Sequence, residues 1–357
     1  MISLWHNAAP LAALAVLVAA ALLPPGPLVT ALAAVSLIVA VLAAVHHAEV
    51  VAHRIGEPFG TLVLAVAVTV IEVSLILSMM ASGGAAAATL PRDTIYAAVM
   101  IICNGVVGLC LLVGALRHRE QSFRIEGTGP ALAALISLAT LSLVLPTFTT
   151  SSPEGTYTLS QLVFVGGTSL ALWALFVFVQ TVRHRDYFLP PGDAADDEAA
   201  HAAPPSRARA WASFGLLLAA LAAVVGLAKQ LSPSIEAAVA AAGAPQAVVG
   251  IAIALLVLLP ETWAAVRAAR ANRLQTSLNL AIGSALASIG LTVPAVVAAS
   301  VWLDLPLVLG LEAKDMALLA LTFVVGAITL ASGRTNLMQG AVHLVIFAAF
   351  LFLALVP

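Results

Sequence analysis

The sequence predicts an all-α polytopic membrane protein with eleven transmembrane helices, in which two matched segments run in opposite directions. Composition is the first reason. Of 357 residues, 62% are apolar and only 9% are charged, against roughly 25% charged in a soluble domain, and the mean hydropathy is +1.09. The second is the recurrence of apolar runs near the ~20 residues that span a bilayer as a helix. The third is that arginines fall in alternate connections between those runs. This composition excludes a soluble globular enzyme and a disordered chain. It also excludes a nucleic-acid partner, since 15 basic residues face 17 acidic ones and no basic surface can form. The medium it fits is the lipid bilayer. Cys103 and Cys110 both lie inside one apolar run, so no disulfide framework is expected.

In order, the spans are read at 8–23, 27–52, 57–82, 93–116, 130–149, 159–182, 210–229, 246–268, 275–301, 315–333 and 337–356. The first is short and ends at the breaker Pro24-Pro25-Gly26-Pro27. Met1 to Pro10 has no Lys or Arg to make the basic region of a signal peptide, so it counts as a span. The second ends in His46, His47, Glu49 and His53, and the third opens after Gly56-Glu57-Pro58 and holds one acid, Glu72. The fourth contains Cys103-Asn104-Gly105, while the fifth and sixth are almost wholly apolar. Next comes the soluble-looking segment 184–209, with Asp193, Asp196, Asp197 and Glu198. It reads first as a solvated linker. A weak cation-sensing role is the alternative, without EF-hand spacing. The seventh span stops at Lys229, and the eighth follows Gly243-Ala244-Pro245 and contains Pro260-Glu261. The ninth opens on a polar stretch, Gln275 to Asn279, and the last two are apolar.

Orientation follows from the basic residues. With the N-terminus inside, twelve arginines lie in inner connections, whereas Arg92, Lys229 and Lys314 lie outside. The N-terminus is therefore expected in the cytoplasm and the C-terminus outside.

An internal repeat is visible in the order of features. Glu49 precedes Gly56 and Pro58, and Glu72 follows 23 residues after Glu49. Glu236 precedes Gly243 and Pro245, and Glu261 follows 25 residues after Glu236. The Glu72 helix is the third span and the Glu261 helix the eighth, so the copies are inverted. Each acid sits fifteen residues into its span, near the midplane at ~1.5 Å per residue. Inverted repeats with midplane sites are the arrangement of alternating-access transporters.

A carboxylate at the bilayer centre costs at least ~2.5–3.5 kcal/mol. No Lys or Arg lies between Arg54 and Arg92, and Arg267 is six residues beyond Glu261, toward the inner surface. Each acid must then be protonated or hold a cation, and the two states exclude one another. That competition is the chemistry of a cation/proton antiporter. Snorkelling or interhelical hydrogen bonding is the plainer alternative for either acid alone. Pro260 frees a helix carbonyl beside Glu261. Thr69, Asn104, Ser284 and Ser288 are candidate further cation ligands or path-lining groups. Ser277, Ser284 and Ser288 share a face, which also fits a small-residue packing seam. Glu49, Glu57 and Glu236 are candidate entrance or gating acids. The His46, His47 and His53 cluster reads as interfacial, with pH sensing or proton relay as the functional alternative. It lacks the His-Glu-x-x-His spacing of a metalloprotease.

At these residues the sequence resembles the cation/proton exchangers of the calcium/cation antiporter superfamily. The match runs through Ala48 to Ala52, Gly56-Glu57 and the helix ending in Glu72, then Ile235-Glu236-Ala237, Gly250 to Glu261 and Gly283-Ser284. Gly56 to Leu62, Val68 to Val73 and Arg270 to Leu280 look like the bacterial ChaA-type calcium/proton branch, also associated with sodium and potassium extrusion. The resemblance implies one extra helix (1–26), a first five-helix repeat (27–183), a cytoplasmic acidic linker (184–209) and an inverted second repeat (210–357). It implies no cofactor, with H+ and Ca2+ as the ions moved. It also implies that Glu72 and Glu261 are the glutamates of the Gly-Asn-x-x-Glu motifs that bind cation and proton. The sequence departs from those motifs. Val68 and Val257 stand at the Gly positions, Thr69 and Leu258 at the Asn positions, and Thr262 where His is frequent. One fixed ligand oxygen is lost, which leaves room for Na+ or K+. The expectation is a Ca2+/H+ antiporter of the inner membrane. The alternatives are a Na+ or K+/proton antiporter and, from another class, a cation channel.

Overall fold

The structure, a computed structural model, describes residues 2–24, 26–56, 59–189, 204–241, 243, 245 and 247–356. Among the described residues eleven helices are long and apolar enough to cross a membrane. They are α1 (Ile2–Leu22), α2 (Pro27–Ile55), α3 (Phe59–Gly83), α4 (Leu90–His118), α5 (Ile125–Thr147), α6 (Leu159–Arg183), α7 (Arg207–Ala241), α8 (Ala247–Arg270), α9 (Leu274–Leu303), α10 (Ala313–Ala331) and α11 (Leu337–Leu355). Short strands β1 (Gln121–Ser122) and β2 (Arg334–Thr335) pair antiparallel, Gln121 opposite Thr335. Glu57 and the acidic stretch Asp193 to Glu198 lie outside the described residues.

The largest departure from the expected spans is α7. It does not stop at Lys229 but continues through Pro233 and Glu236 to Ala241. A proline removes one helix donor, and Ala237 to Ala241 is a strongly helix-forming run that carries the helix onward. The breaks after α2 and α7 are alike. Gly56 has φ +76° and Gly243 has φ +62°, a region that only glycine enters without strain.

The helices group into two packing units, each drawing on both halves of the sequence. The first comprises Met1–Leu90 and Ala203–Val257. Here α2 packs on α1, α3 and α7, and α7 also packs on α1 and α3. Its interior is built from small side chains: Ala40, Ala44 and Ala48 at four-residue spacing on α2, with Ala220 and Ala223 on α7, are all fully buried. Small residues on one face let helix backbones approach closely. Val68, Ile71 and Leu75 of α3 and the start of α8, through Val249, Ile253 and Val257, complete this core.

The second unit comprises Pro91–Ala202 and Leu258–Pro357. Its centre is α9, which contacts α4, α5 and α6 and has 18 of its 30 residues buried. Here α11 packs along α4, and α10 touches both α5 and α11. Three helices of this unit contain a π turn: Ile101–Val106 in α4, Thr140–Val144 in α5 and Val179–Arg183 in α6. Such a turn widens a helix by one residue and re-aims its side chains, and it recurs at functional positions.

Candidate cation and proton site

In the first unit the site is built on α3. Glu72 is buried, with 4% of its surface exposed, and its helical neighbours Val68, Ile71 and Leu75 are buried in the apolar core. Thr69 is also buried and precedes Glu72 by three residues, so the two share one face, a turn apart. A line of hydroxyls continues along α3. Ser78 Oγ donates to the Ser74 carbonyl at 2.7 Å and Ser82 Oγ to the Ser78 carbonyl at 3.1 Å. Ser82 then meets the buried Ser232 of α7. Sequence reading passed over this ladder, although serines at 74, 78 and 82 are spaced four apart. Glu49 is exposed on α2, and Glu236 lies on α7 between Pro233 and Gly243.

The structure adds His6 of α1 to the histidine cluster of α2. The rings of His6 on α1 and His46 stack with centroids 3.8 Å apart, and His47 Nε2 lies 3.1 Å from the His6 carbonyl. These contacts fasten α1 to α2.

In the second unit Glu261 is half-buried on α8, directly after Pro260. Pro260 cannot donate to the carbonyl four residues earlier, which leaves that acceptor free of its helical bond. Thr262, where the resembled motif often has His, donates its hydroxyl back to the Leu258 carbonyl at 2.7 Å. On α9, Ser288 is buried and Ser284 half-buried. The polar start of that helix serves the fold. Gln275 Oε1 accepts from the Arg124 backbone at 2.7 Å, and Gln275 Nε2 donates to Asn279 at 2.9 Å. Asn279 Nδ2 in turn donates to the Phe188 carbonyl at 2.6 Å.

Asn104 sits in the π turn of α4 and is fully buried. Its Nδ2 donates to Thr322 Oγ1 of α10 at 2.9 Å, and its Oδ1 is 3.2 Å from His343 Nδ1 of α11. His343 Nε2 is 3.1 Å from the Thr329 hydroxyl. The consistent assignment has the Nδ1–H donating to Asn104 and the Thr329 hydroxyl donating to Nε2. Asn104 therefore holds three helices together, and its oxygen is engaged by a histidine. Beside this network lies a small cavity of about 20 Å³, mainly apolar, whose lining includes Cys103, Thr322, Thr329 and His343. Sequence reading missed His343, although a lone histidine in a span free of charged residues was a usable signal.

Thr69 and Glu72 thus share the first unit, while Asn104, Glu261, Ser284 and Ser288 belong to the second. Among the described residues no group of three His, Cys, Asp or Glu side chains is placed to hold a metal ion. Any bound cation would draw on hydroxyls, carbonyls or water beside a carboxylate.

The sequence pattern of the sodium/calcium exchanger protein family matches residues 26–182 and 212–356. The chain is 50% identical to a putative ionic transporter, y4hA, of Sinorhizobium fredii, over all of this chain and 97% of that one. It is 36% identical to the sodium-potassium/proton antiporter ChaA of Escherichia coli, over 90% of this chain and 87% of that one. Among solved structures it is similar to a selenium-substituted Ca2+/H+ antiporter, YfkE, with a TM-score of 0.73 at 16% identity, covering 99% of each chain. At that identity the likeness is one of fold.

Proposed function

The chain belongs to the sodium/calcium exchanger protein family, a multi-pass membrane transporter family for inorganic cations, and from that premise we propose that it is a secondary antiporter exchanging protons for Ca2+. The proposed setting is a bacterial inner membrane, with the N-terminus in the cytoplasm and the C-terminus outside. The observation that carries the reading is the pair Glu72 and Glu261, each set in an apolar helix that follows a glycine break of positive φ. A carboxylate so placed is either protonated or paired with a cation, because an isolated charge at that depth costs several kcal/mol. Two carboxylates release two protons for one divalent cation, so the exchange can be electroneutral. In this reading Thr69, Asn104, Ser284 and Ser288 serve as further cation ligands or path-lining groups. Glu49, Glu57 and Glu236 draw cations to its mouths. Residues 27–183 and 210–357 act as the two inverted repeats, with 1–26 as the extra helix and 184–209 as the linker.

A second reading has its own support. Thr69 and Leu258 stand where the resembled motifs have Asn, and the 36% identical relative is named a sodium-potassium/proton antiporter. Fewer fixed oxygens suit a monovalent cargo better than Ca2+, which takes six to eight.

Vesicles holding the purified protein and an entrapped pH dye test both. Ca2+ added at micromolar levels is expected to move protons, and Glu72→Gln or Glu261→Gln to reduce that movement by at least ~100-fold while the protein still elutes as a folded species. Proton movement with Na+ or K+ alone transfers the cargo to the second reading. Tracer cation crossing without any proton movement overturns antiport and leaves a channel.

A further inference from the structure

Four connecting segments meet at one end of the second unit. Besides the β1–β2 pairing, Gln121 Nε2 donates to the Ala269 carbonyl and to Asn272 Oδ1, both at 3.0 Å. The Arg124 backbone donates to Gln275, and Asn279 reaches Phe188. These segments carry nine arginines, within 117–124, 183–185, 267–273 and at 334, against the carboxylates Glu120, Glu126 and Asp186. The opposite end is tied by Arg92 to the Gly310 carbonyl and by Thr147 to the Leu311 carbonyl. There five carboxylates, Asp93, Glu154, Asp304, Glu312 and Asp315, face only Arg92 and Lys314.

A collar of solvated arginines would need no further account, since positive charge marks the cytoplasmic face of membrane proteins in general. Two members of this collar are different. Arg124 directly precedes α5 and Arg273 directly precedes α9, and neither helix start has a side-chain cap. The Nε atoms of both guanidinium groups are buried and meet no hydrogen-bond partner. Their segments adjoin, since the Arg124 backbone is bonded to Gln275, two residues past Arg273. Each arginine therefore occupies the N-cap position of a helix, at its positive end, where the dipole favours an anion. Among the described residues no ion pair relieves either one, and Glu126, in the first turn of α5, is exposed. Both arginines are partly exposed, but buried donors such as these Nε atoms are nearly always satisfied, and the partner suited to a guanidinium group at a helix start is an oxyanion.

We infer that Arg124 and Arg273 form a binding site for a phosphate group, supplied by the headgroup of an anionic phospholipid in the leaflet facing this basic end. The site lies at the ends of membrane-length helices, at headgroup depth, where basic pockets between helices hold such lipids. Ile125, beside Arg124, is 43% exposed and offers an apolar contact for the acyl chain. The site is separate from Glu72 and Glu261 and does not depend on which cation is carried.

The test is native mass spectrometry of the detergent-solubilised full chain with phosphatidylglycerol, cardiolipin or phosphatidylcholine added. Wild-type protein is expected to retain one anionic phospholipid per chain and no phosphatidylcholine. In the pair Arg124→Gln with Arg273→Gln, affinity should fall roughly thirtyfold. The pair Arg117→Gln with Arg185→Gln removes the same charge from exposed positions and should lose less than about threefold, since exposed charges are screened. Should the first pair fail to fold, Arg124→Lys with Arg273→Lys keeps the charge but not the planar fork, and affinity should then fall roughly fivefold. Equal losses in the two glutamine pairs, or undiminished lipid in the Arg124/Arg273 variants, would overturn the site. Competition by millimolar inorganic phosphate, with no phospholipid retained, would overturn the lipid assignment in favour of free phosphate.

Discussion

In the first packing unit the Ser78 and Ser82 hydroxyls of α3 reach carbonyls of their own helix, with Ser82 also meeting Ser232 of α7, whereas in the second Asn104 reaches from α4 to two other helices. Ser78 bonds the Ser74 carbonyl, one turn back. Asn104 bonds Thr322 and His343 and so joins α4, α10 and α11. The packing differs in the same sense. Fully buried alanines such as Ala40, Ala44 and Ala220 give the first unit smooth, low-relief helix faces. In the second, α4 and α11 meet backbone to backbone through Gly108 and Gly340. Smooth apolar faces with intrahelical bonds define helix positions weakly. Hydrogen bonds between helices and backbone contacts fix them. The second unit therefore has the character of a braced frame. The first sets its carboxylate, Glu72, on a helix whose buried neighbours Val68, Ile71 and Leu75 belong to the apolar core.

The largest effect expected from this contrast is at Gly340. A Cβ there would lie 2.6 Å from the Leu112 backbone nitrogen and 3.0 Å from the Gly108 carbonyl oxygen, atoms that cannot swing aside. Gly340→Ala should destabilise by about 3 kcal/mol, read as a lower melting temperature in detergent. A neutral outcome would remove the rigid contact from the account. Next in size is Asn104→Leu, which takes the partner of His343 Nδ1 out of an apolar bundle, while the Thr322 hydroxyl keeps its bond to the Leu318 carbonyl. The expected loss is about 2 kcal/mol. Combining it with His343→Phe should recover part of that loss, because both partners of the bond are then apolar. Additive losses in the double variant would mean that Asn104 and His343 are not coupled.

The eleven spans were legible because each is an apolar run bounded by breakers or arginines, and in lipid only helices satisfy their backbone over such a run. Lys229 and Pro233 hid the true length of α7: each is a local stop signal, and the alanine-rich stretch beyond overrides both. The π turns left no trace in hydropathy, since an extra residue in a turn of Ile, Cys and Val changes nothing in the composition. Division into packing units was equally hidden, because α2, α4 and α9 carry apolar residues all round and the sequence does not say which face meets which neighbour. Glu72 and Glu261 stood out from sequence because a lone acid in an apolar helix is expensive. The role of Asn104 as a brace did not, since a buried amide reads alike as ligand or as clamp until its partners are known. His343, its partner, lies 239 residues away, beyond any local pattern.

The smallest effect expected is at Ser78, and it bears most directly on the contrast. Its hydroxyl bonds a carbonyl that already accepts the ordinary helical hydrogen bond, an arrangement that adds little stability and slightly bends the helix. Ser78→Ala removes that bond and replaces serine with the best helix former. The melting temperature should then move by no more than the equivalent of about 0.5 kcal/mol, in either direction. Cation-driven proton movement is the sharper readout. If Ser74, Ser78 and Ser82 only shape α3, transport in Ser78→Ala should stay within about twofold of wild type. Suppose instead that transport falls tenfold with the melting temperature unchanged. The ladder would then be part of the transport path, and its hydroxyls would do more than shape α3.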